Sequence, residues 1–246
     1  MTPDVQHALL LVGFFAVAVG YSAVGHGGAS GYLALLAFTA MPSKESSTLS
    51  LAMNVFVSLI AFLLFRRAKH FDWSLTWPFI LGSVPMAFLG GSMKLSDHLH
   101  QWILGVVLLY AGITLLAKKP PESTELVPAS IPWRIAAGAG IGLLSGMVGV
   151  GGGIFLSPLI ILLRWGDIKK TATISALFIF LNSIAGLVAR GGSSLTVIQL
   201  HSDTILVASI GALLGAWLGS HKVPDLSLRR LLGVVLLMAV IKLIVR

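Results

Sequence analysis

The chain contains no cysteine and little charge, with nine acidic and 17 basic residues among 246. The missing thiols exclude disulfides and thiolate metal sites. The shortage of charge excludes more: 11% of residues are charged, 56% are hydrophobic and mean hydropathy is +0.94, so too little polar surface exists to cover a water-soluble domain. All nine acids, Asp4, Glu45, Asp72, Asp97, Glu122, Glu125, Asp167, Asp203 and Asp225, fall in expected loops or at segment ends. This placement argues against a cation pathway or a carboxylate proton relay inside a membrane. No nucleophile–His–acid set, paired buried carboxylates or spaced metal ligands are present, so neither catalysis, nor a cofactor, nor a metal is expected. The first basic residue is Lys44. The opening run from about His7 to Val24 therefore lacks the basic start of a cleavable signal and is expected to stay in the fold.

What fills the chain is apolar sequence. Ten segments can be read at roughly 8–24, 28–41, 47–65, 73–92, 99–117, 134–148, 153–164, 171–189, 204–220 and 229–245. The sequence predicts one all-α integral membrane domain over 1–246, with a first repeat at 1–117, a charged, proline-bearing linker at 118–131 and a second repeat at 132–246. Its expected surroundings are the lipid bilayer, and its scattered basic residues do not form a nucleic-acid surface.

The halves repeat each other. Gly91-Ser92-Met93-Lys94 with Asp97 and the run GVVLL at 105–109 recur 128 residues later as Gly219-Ser220-His221-Lys222, Asp225 and GVVLL at 233–237. Thr48, Ser50 and Ser58 recur 125 residues later as Thr173, Ser175 and Ser183, and two glycine clusters match at an offset of 124. Three ordered matches indicate a duplication. Placing basic loops inside puts 12 of the 17 Lys and Arg residues on the cytoplasmic side and both termini outside. The halves are then inverted, five helical segments each. The second segments, 28–41 and 153–164, are too short to span. The expected pattern is a pair of short helices opening each half and meeting at a glycine turn, with their depth of penetration open.

Those turns, Gly25-His26-Gly27-Gly28 and Gly149-Val150-Gly151-Gly152-Gly153, interrupt apolar segments at corresponding places. Broken helices there mark the substrate site of an inverted-repeat transporter, and a helix opening at membrane depth offers N–H donors and a positive dipole end to an anion. The expected donors are Gly25, Gly27, Gly28, Ser30, Gly151, Gly152 and Gly153. The alternative is that these glycines only let helices pack closely. The third segments contribute Ser50 and Asn54, and Thr173, Ser175 and Asn182, which either face a central cavity or hydrogen-bond between helices. His26 is the one ionisable group expected at depth, either as a proton-coupling donor or as a structural ring; Val150 replaces it in the second turn. Pro85 and Pro158 mark either a functional kink or ordinary bending.

In GMVGVGGGIFLSPLI at 146–160, the Thr171-Ala172-Thr173-Ile174-Ser175 region and the duplicated layout, the chain resembles the TauE/SafE sulfite and sulfonate exporter family. The first half departs from it at His26 and Ala29 and lacks the following proline. The resemblance implies secondary transport of a small sulfur-containing anion, such as sulfite, thiosulfate or an organosulfonate like sulfoacetate, across an inner membrane. The residues themselves imply only an anion. An alternating-access carrier, a passive anion channel and a non-transporting membrane scaffold remain the competing readings.

Overall fold

The computed structural model describes residues 3–36, 39, 41–93 and 130–222, with single helical positions within 102–116 and 227–237. The segments expected at 99–117 and 229–245, with the GVVLL runs, are described only at such positions. The linker residues 118–129, Lys94, Asp97 and Asp225 lie outside the described residues.

Among the described residues the bounded helices are α1 (Pro3–Ser22), α2 (Ala29–Leu36), α3 (Ser43–Arg67), α4 (Trp73–Ser92), α5 (Ile131–Val148), α6 (Gly153–Leu162), α7 (Ile168–Arg190), α8 (Ser193–Leu200) and α9 (Ser202–His221). The described residues contain no strand. Helices α3, α4, α5, α7 and α9 are long and apolar enough to cross a membrane. Local chemistry sets several boundaries. Asp72 caps α4 by accepting from the Leu75 N–H at 3.2 Å, and Asp167 caps α7 by accepting from the Lys170 N–H at 2.8 Å.

Two expectations are corrected. The first helix of the second half is not short: α5 has 18 residues and is long enough to cross, whereas α1 has 20 with Gln6–Ser22 as its shorter apolar part, and α2 and α6 have 8 and 10. Helix α5 reaches back to Ile131 because Pro132 sits in its first turn, where no N–H is required. The stretch near 190–203, expected as a loop, contains α8, set off from α7 by Gly191 at φ 72° and anchored by Val197 and Ile198 against the core. The helices also continue through Pro85 and Pro158.

Close approaches fix the helix directions. A Cβ on Gly138, Gly142 or Gly146 of α5 would fall within 2.1–2.3 Å of the carbonyls of Phe79, Ser83 and Ala87 of α4, so these helices run side by side in parallel. Gly211, Gly215 and Gly219 of α9 meet the carbonyls of Phe15 and Val19 of α1 and of Ala23 just beyond it in the same manner. Small residues let backbones touch where lipid supplies no hydrophobic drive for association. Helices α3 and α7 run antiparallel through the centre: Arg190 meets Ser47, Gly186 meets Leu51, and Phe65 clusters with Ala172.

The bundle consequently has two unlike ends. One gathers Arg66 and Arg67 in the last turn of α3 and Lys69 after it, Arg134 bonded to the Ser74 carbonyl at 2.7 Å, and Arg164, Lys169 and Lys170 before and in α7. The other carries Lys44 and Arg190 with the pairs His7–Asp203 at 2.8 Å and His201–Glu45 at 3.6 Å.

Candidate functional site

Each glycine turn begins where a helix carbonyl takes two donors and the chain swings into left-handed backbone. The Tyr21 carbonyl accepts from the N–H groups of Val24 and His26 at 3.1 and 2.8 Å, and the Ser145 carbonyl accepts from those of Gly149 and Val150 at 2.7 and 3.3 Å. Gly25 and Gly28 in the first turn, and Gly149, Gly151 and Gly152 in the second, have φ between 73° and 95°, which side chains rarely tolerate. Among the described residues, the N–H groups of Gly27 and Gly28 before α2 and of Gly151 and Gly152 before α6 donate no backbone–backbone bond. They are the orphan donors of two helix openings.

Both turns meet on the same two side chains. A Cβ on Gly27 would lie 2.2 Å from Asn54 Oδ1 and 3.0 Å from Ile179 Cγ2; one on Gly151 would lie 2.8 Å from Asn54 Nδ2 and 2.8 Å from Ile179 Cγ2. Asn54 Nδ2 donates to the Val150 carbonyl at 3.3 Å, so a residue of the first half holds the turn of the second. Gly153 packs on Ile179, and His26 Cδ2 would be 3.6 Å from a Cβ there. The structure thus brings together Gly27, Gly151, Gly153, His26 and Asn54.

Several polar atoms in this region are buried without a protein partner: Asn54 Oδ1, both side-chain polar atoms of Asn182, Ser183 Oγ and His26 Nε2. Ser183 Oγ would be 3.0 Å from a Cβ on Gly151, and Asn182 precedes it on α7. Buried polar atoms are costly unless something bonds them. His26 Nδ1 lies 2.9 Å from the Val24 carbonyl, which can only accept; Nδ1 therefore carries the proton and Nε2 is left as an acceptor.

The other expected residues do different work. Ser50 donates to the Ala29 carbonyl at 3.2 Å, and its repeat partner Ser175 pairs with Ser157 at 2.7 Å, each fastening the short helix of its own half. Ser30 Oγ lies 2.6 Å from Tyr21 Oη, joining α2 to α1. Thr173 Oγ1 donates within its own helix to the Lys169 carbonyl at 2.9 Å. Gly25 sits against the Ala172 backbone, Gly28 against Tyr32 and Gly152 against Phe178 and Ser145.

The sequence reading did not single out Ile179 or Arg190 for the site. Ile179 is one apolar residue among many, although the offset of 125 maps it onto Asn54. Arg190 enters there only as one of the five basic residues left outside. It donates to Ser47 Oγ at 2.6 Å and Thr48 Oγ1 at 3.1 Å, beside Gly149.

A helical membrane bundle whose two broken segments converge on a buried polar centre, with no acid there among the described residues, belongs to the class of membrane transporters. The family described as Sulfite exporter TauE/SafE matches residues 9–243, and the chain belongs to that family. It is 31% identical over 245 residues to the "Probable membrane transporter protein y4hK" of Sinorhizobium fredii, covering 98% of this chain and 99% of that protein. No solved structure matches.

Proposed function

We propose that the chain is a secondary transporter of a small sulfur-containing oxyanion, such as sulfite, thiosulfate or an organosulfonate like sulfoacetate, working by alternating access across the inner membrane. The observation carrying this reading is the junction at Asn54, where two helix-opening turns from different halves meet among unpartnered buried polar atoms. Neutral N–H, amide and hydroxyl donors can replace the water shell of an anion without trapping it as tightly as a fixed counter-charge would. Gly27, Gly28, Gly151, Gly152, Gly153, Asn54, Asn182 and His26 form the proposed centre; Gly25, expected as a donor but with its N–H given to the Ser22 carbonyl at 3.0 Å, shapes it with Ser30, Ser50, Thr173 and Ser175.

Inverted halves are the proposed basis of alternation. The repeat pairs α1 with α5, α2 with α6, α3 with α7 and α4 with α9; the antiparallel α3 and α7, and the parallel pairs α4–α5 and α1–α9, support this assignment. The end bearing Arg66, Arg67, Lys69, Lys169 and Lys170 is assigned to the cytoplasm by its charge, which puts the start of α1 outside.

Proteoliposome flux tests the proposal. Radiolabelled thiosulfate or sulfoacetate should enter saturably, and unlabelled anion inside should accelerate entry, as exchange through a carrier does. Saturable flux without trans-acceleration would point to a channel, and movement of neutral or cationic solutes with exclusion of sulfur oxyanions would overturn the substrate class.

A further inference from the structure

The offset that aligns Thr48, Ser50 and Ser58 with Thr173, Ser175 and Ser183 also aligns Phe65 with Arg190 and Ser47 with Ala172. These matched positions stand beside the mouths of the two glycine turns, at opposite ends of the bundle, and their chemistry is opposite. At one mouth, Arg190 Nη1 donates to Ser47 Oγ and Thr48 Oγ1, while Nη2 would lie 2.9 Å from a Cβ on Gly149. At the other, Phe65 is fully buried in a cluster with Ala172, Ala176 and Ala216, and Gly25 rests on the Ala172 backbone. One mouth is lined by a cation and two hydroxyls, the other by an aromatic ring and methyl groups.

We infer that Arg190, positioned by Ser47 and Thr48, forms an outer holding site for an oxyanion on the Arg190 side of the Asn54 centre, where the matched position at the other end holds Phe65 instead. The inference rests on the anion transport proposed above. The hydroxyls of Ser47 and Thr48 give their own hydrogens to the Lys44 carbonyl, at 3.1 and 2.7 Å, which leaves their lone pairs to accept from the guanidinium and set its orientation. A guanidinium so held is suited to planar, two-point contact with oxyanion oxygens. Thr48 and Asn54 lie six residues apart on α3, about 9 Å along the axis. That distance is close enough for the charge to be felt at the centre through a low-dielectric interior, and far enough for the two sites to be occupied in turn. An anion arriving at the Arg190 face meets a cation beside the glycine turn, before the neutral donors; one arriving from the other face passes the basic helix ends and loops and then meets Phe65 at the matched position.

The test is thiosulfate uptake by membrane vesicles of both orientations, containing the full-length wild type, Arg190→Gln, Arg190→Lys or Thr48→Ala. Loss of the charge should raise the half-saturating concentration at the Arg190 face about tenfold, the usual weight of a charge-assisted hydrogen bond, with the maximal rate and the opposite face little changed. Arg190→Lys should recover most of the loss, and Thr48→Ala should show a smaller rise at the same face, which keeps the test alive if Arg190→Gln does not fold. Equal rises at both faces, or none in folded variants, would overturn the outer site. So would an effect confined to vesicles containing anionic lipid, since the cation would then be holding a headgroup. Calorimetry of thiosulfate on purified protein separates the two proposals. If the wild type binds and Arg190→Gln binds equally well, only the outer site fails; if the wild type neither binds nor transports, both fail.

Discussion

Asn54 and Ile179 stand at equivalent positions of α3 and α7, 125 residues apart, and each is touched by both glycine turns. The duplicated halves have therefore placed an amide and a branched alkyl group on the two sides of one junction. Asn54 supplies hydrogen bonding to the Val150 carbonyl and an unpaired Oδ1, while Ile179 packs on Gly27, Gly151 and Gly153. Such a junction suits an ion with a polar head and a short carbon tail, because each end of the ligand meets its own kind of surface.

That division predicts selectivity. Asn54→Ala should weaken both sulfite and sulfoacetate about tenfold by removing a buried donor, and Asn54→Asp should abolish anion flux by placing a negative charge at the centre. Ile179→Ala should cost sulfoacetate more than sulfite. Competition assays in proteoliposomes check the order, and equal losses for both anions in Ile179→Ala would remove Ile179 from the binding surface.

Glycines inside and outside the junction should respond oppositely to one methyl group. At Gly27 an added Cβ would overlap Asn54 Oδ1, so Gly27→Ala is expected to destabilise by about 1–3 kcal/mol and to lower flux. At Gly140 in α5 nothing lies within 4 Å, and Gly140→Ala should be neutral or stabilise by about 0.5–1 kcal/mol through helix propensity. Thermal unfolding in detergent, read alongside flux, distinguishes a turn that must stay close-packed from a helix that tolerates bulk.

Much of this was legible in the sequence because glycine, serine and asparagine are conspicuous in apolar runs. The bounds of α4 at 73–92, the two turns and the shortness of α2 and α6 follow from composition and spacing. The length of α5 did not, since Pro132 reads as a breaker unless its place in a first turn is known. Helix α8 was hidden in a stretch whose glycines and polar residues read as a loop. At the site, the hydroxyls of Ser50 and Ser175 look available in one dimension and prove to be bonded to short-helix partners in three. Ile179 and Phe65 carry no signal of their own; only the repeat register, which places them opposite Asn54 and Arg190, could single them out.

Stability at low pH should depend on Asp72. Burial alone would raise its carboxyl, but hydrogen bonds from the Ser74 hydroxyl and the Leu75 N–H, together with the Lys170 charge, hold it below the ordinary value. A depressed carboxyl stabilises the fold fully above its unfolded value of 3.8 and loses that contribution as pH falls through the lower folded value. Between neutral pH and about 5 the unfolding temperature should hardly respond to this group, then fall in more acid buffer. Asp72→Ala should cost about 1 kcal/mol at neutral pH, the typical weight of a helix cap, and should flatten the acid limb. An unchanged acid limb in that variant would assign the pH dependence elsewhere.

His26 should couple protons to the anion. Its Nδ1 proton is committed to the Val24 carbonyl, so the ring presents a bare Nε2 lone pair, 1% exposed, next to Gly153 and without a hydrogen bond. An anion bound beside the ring favours its charged form, and proton uptake and anion binding then favour each other by the same amount. The coupling need not be shared by the second turn, where Val150 replaces the histidine. His26→Gln keeps a polar side chain of similar size but cannot change its charge near neutral pH. It should therefore retain downhill thiosulfate flux while losing accumulation driven by an imposed proton gradient. Measured in the same proteoliposomes, gradient-driven accumulation equal to the wild type would show that the ring is structural and that any proton moves by another route.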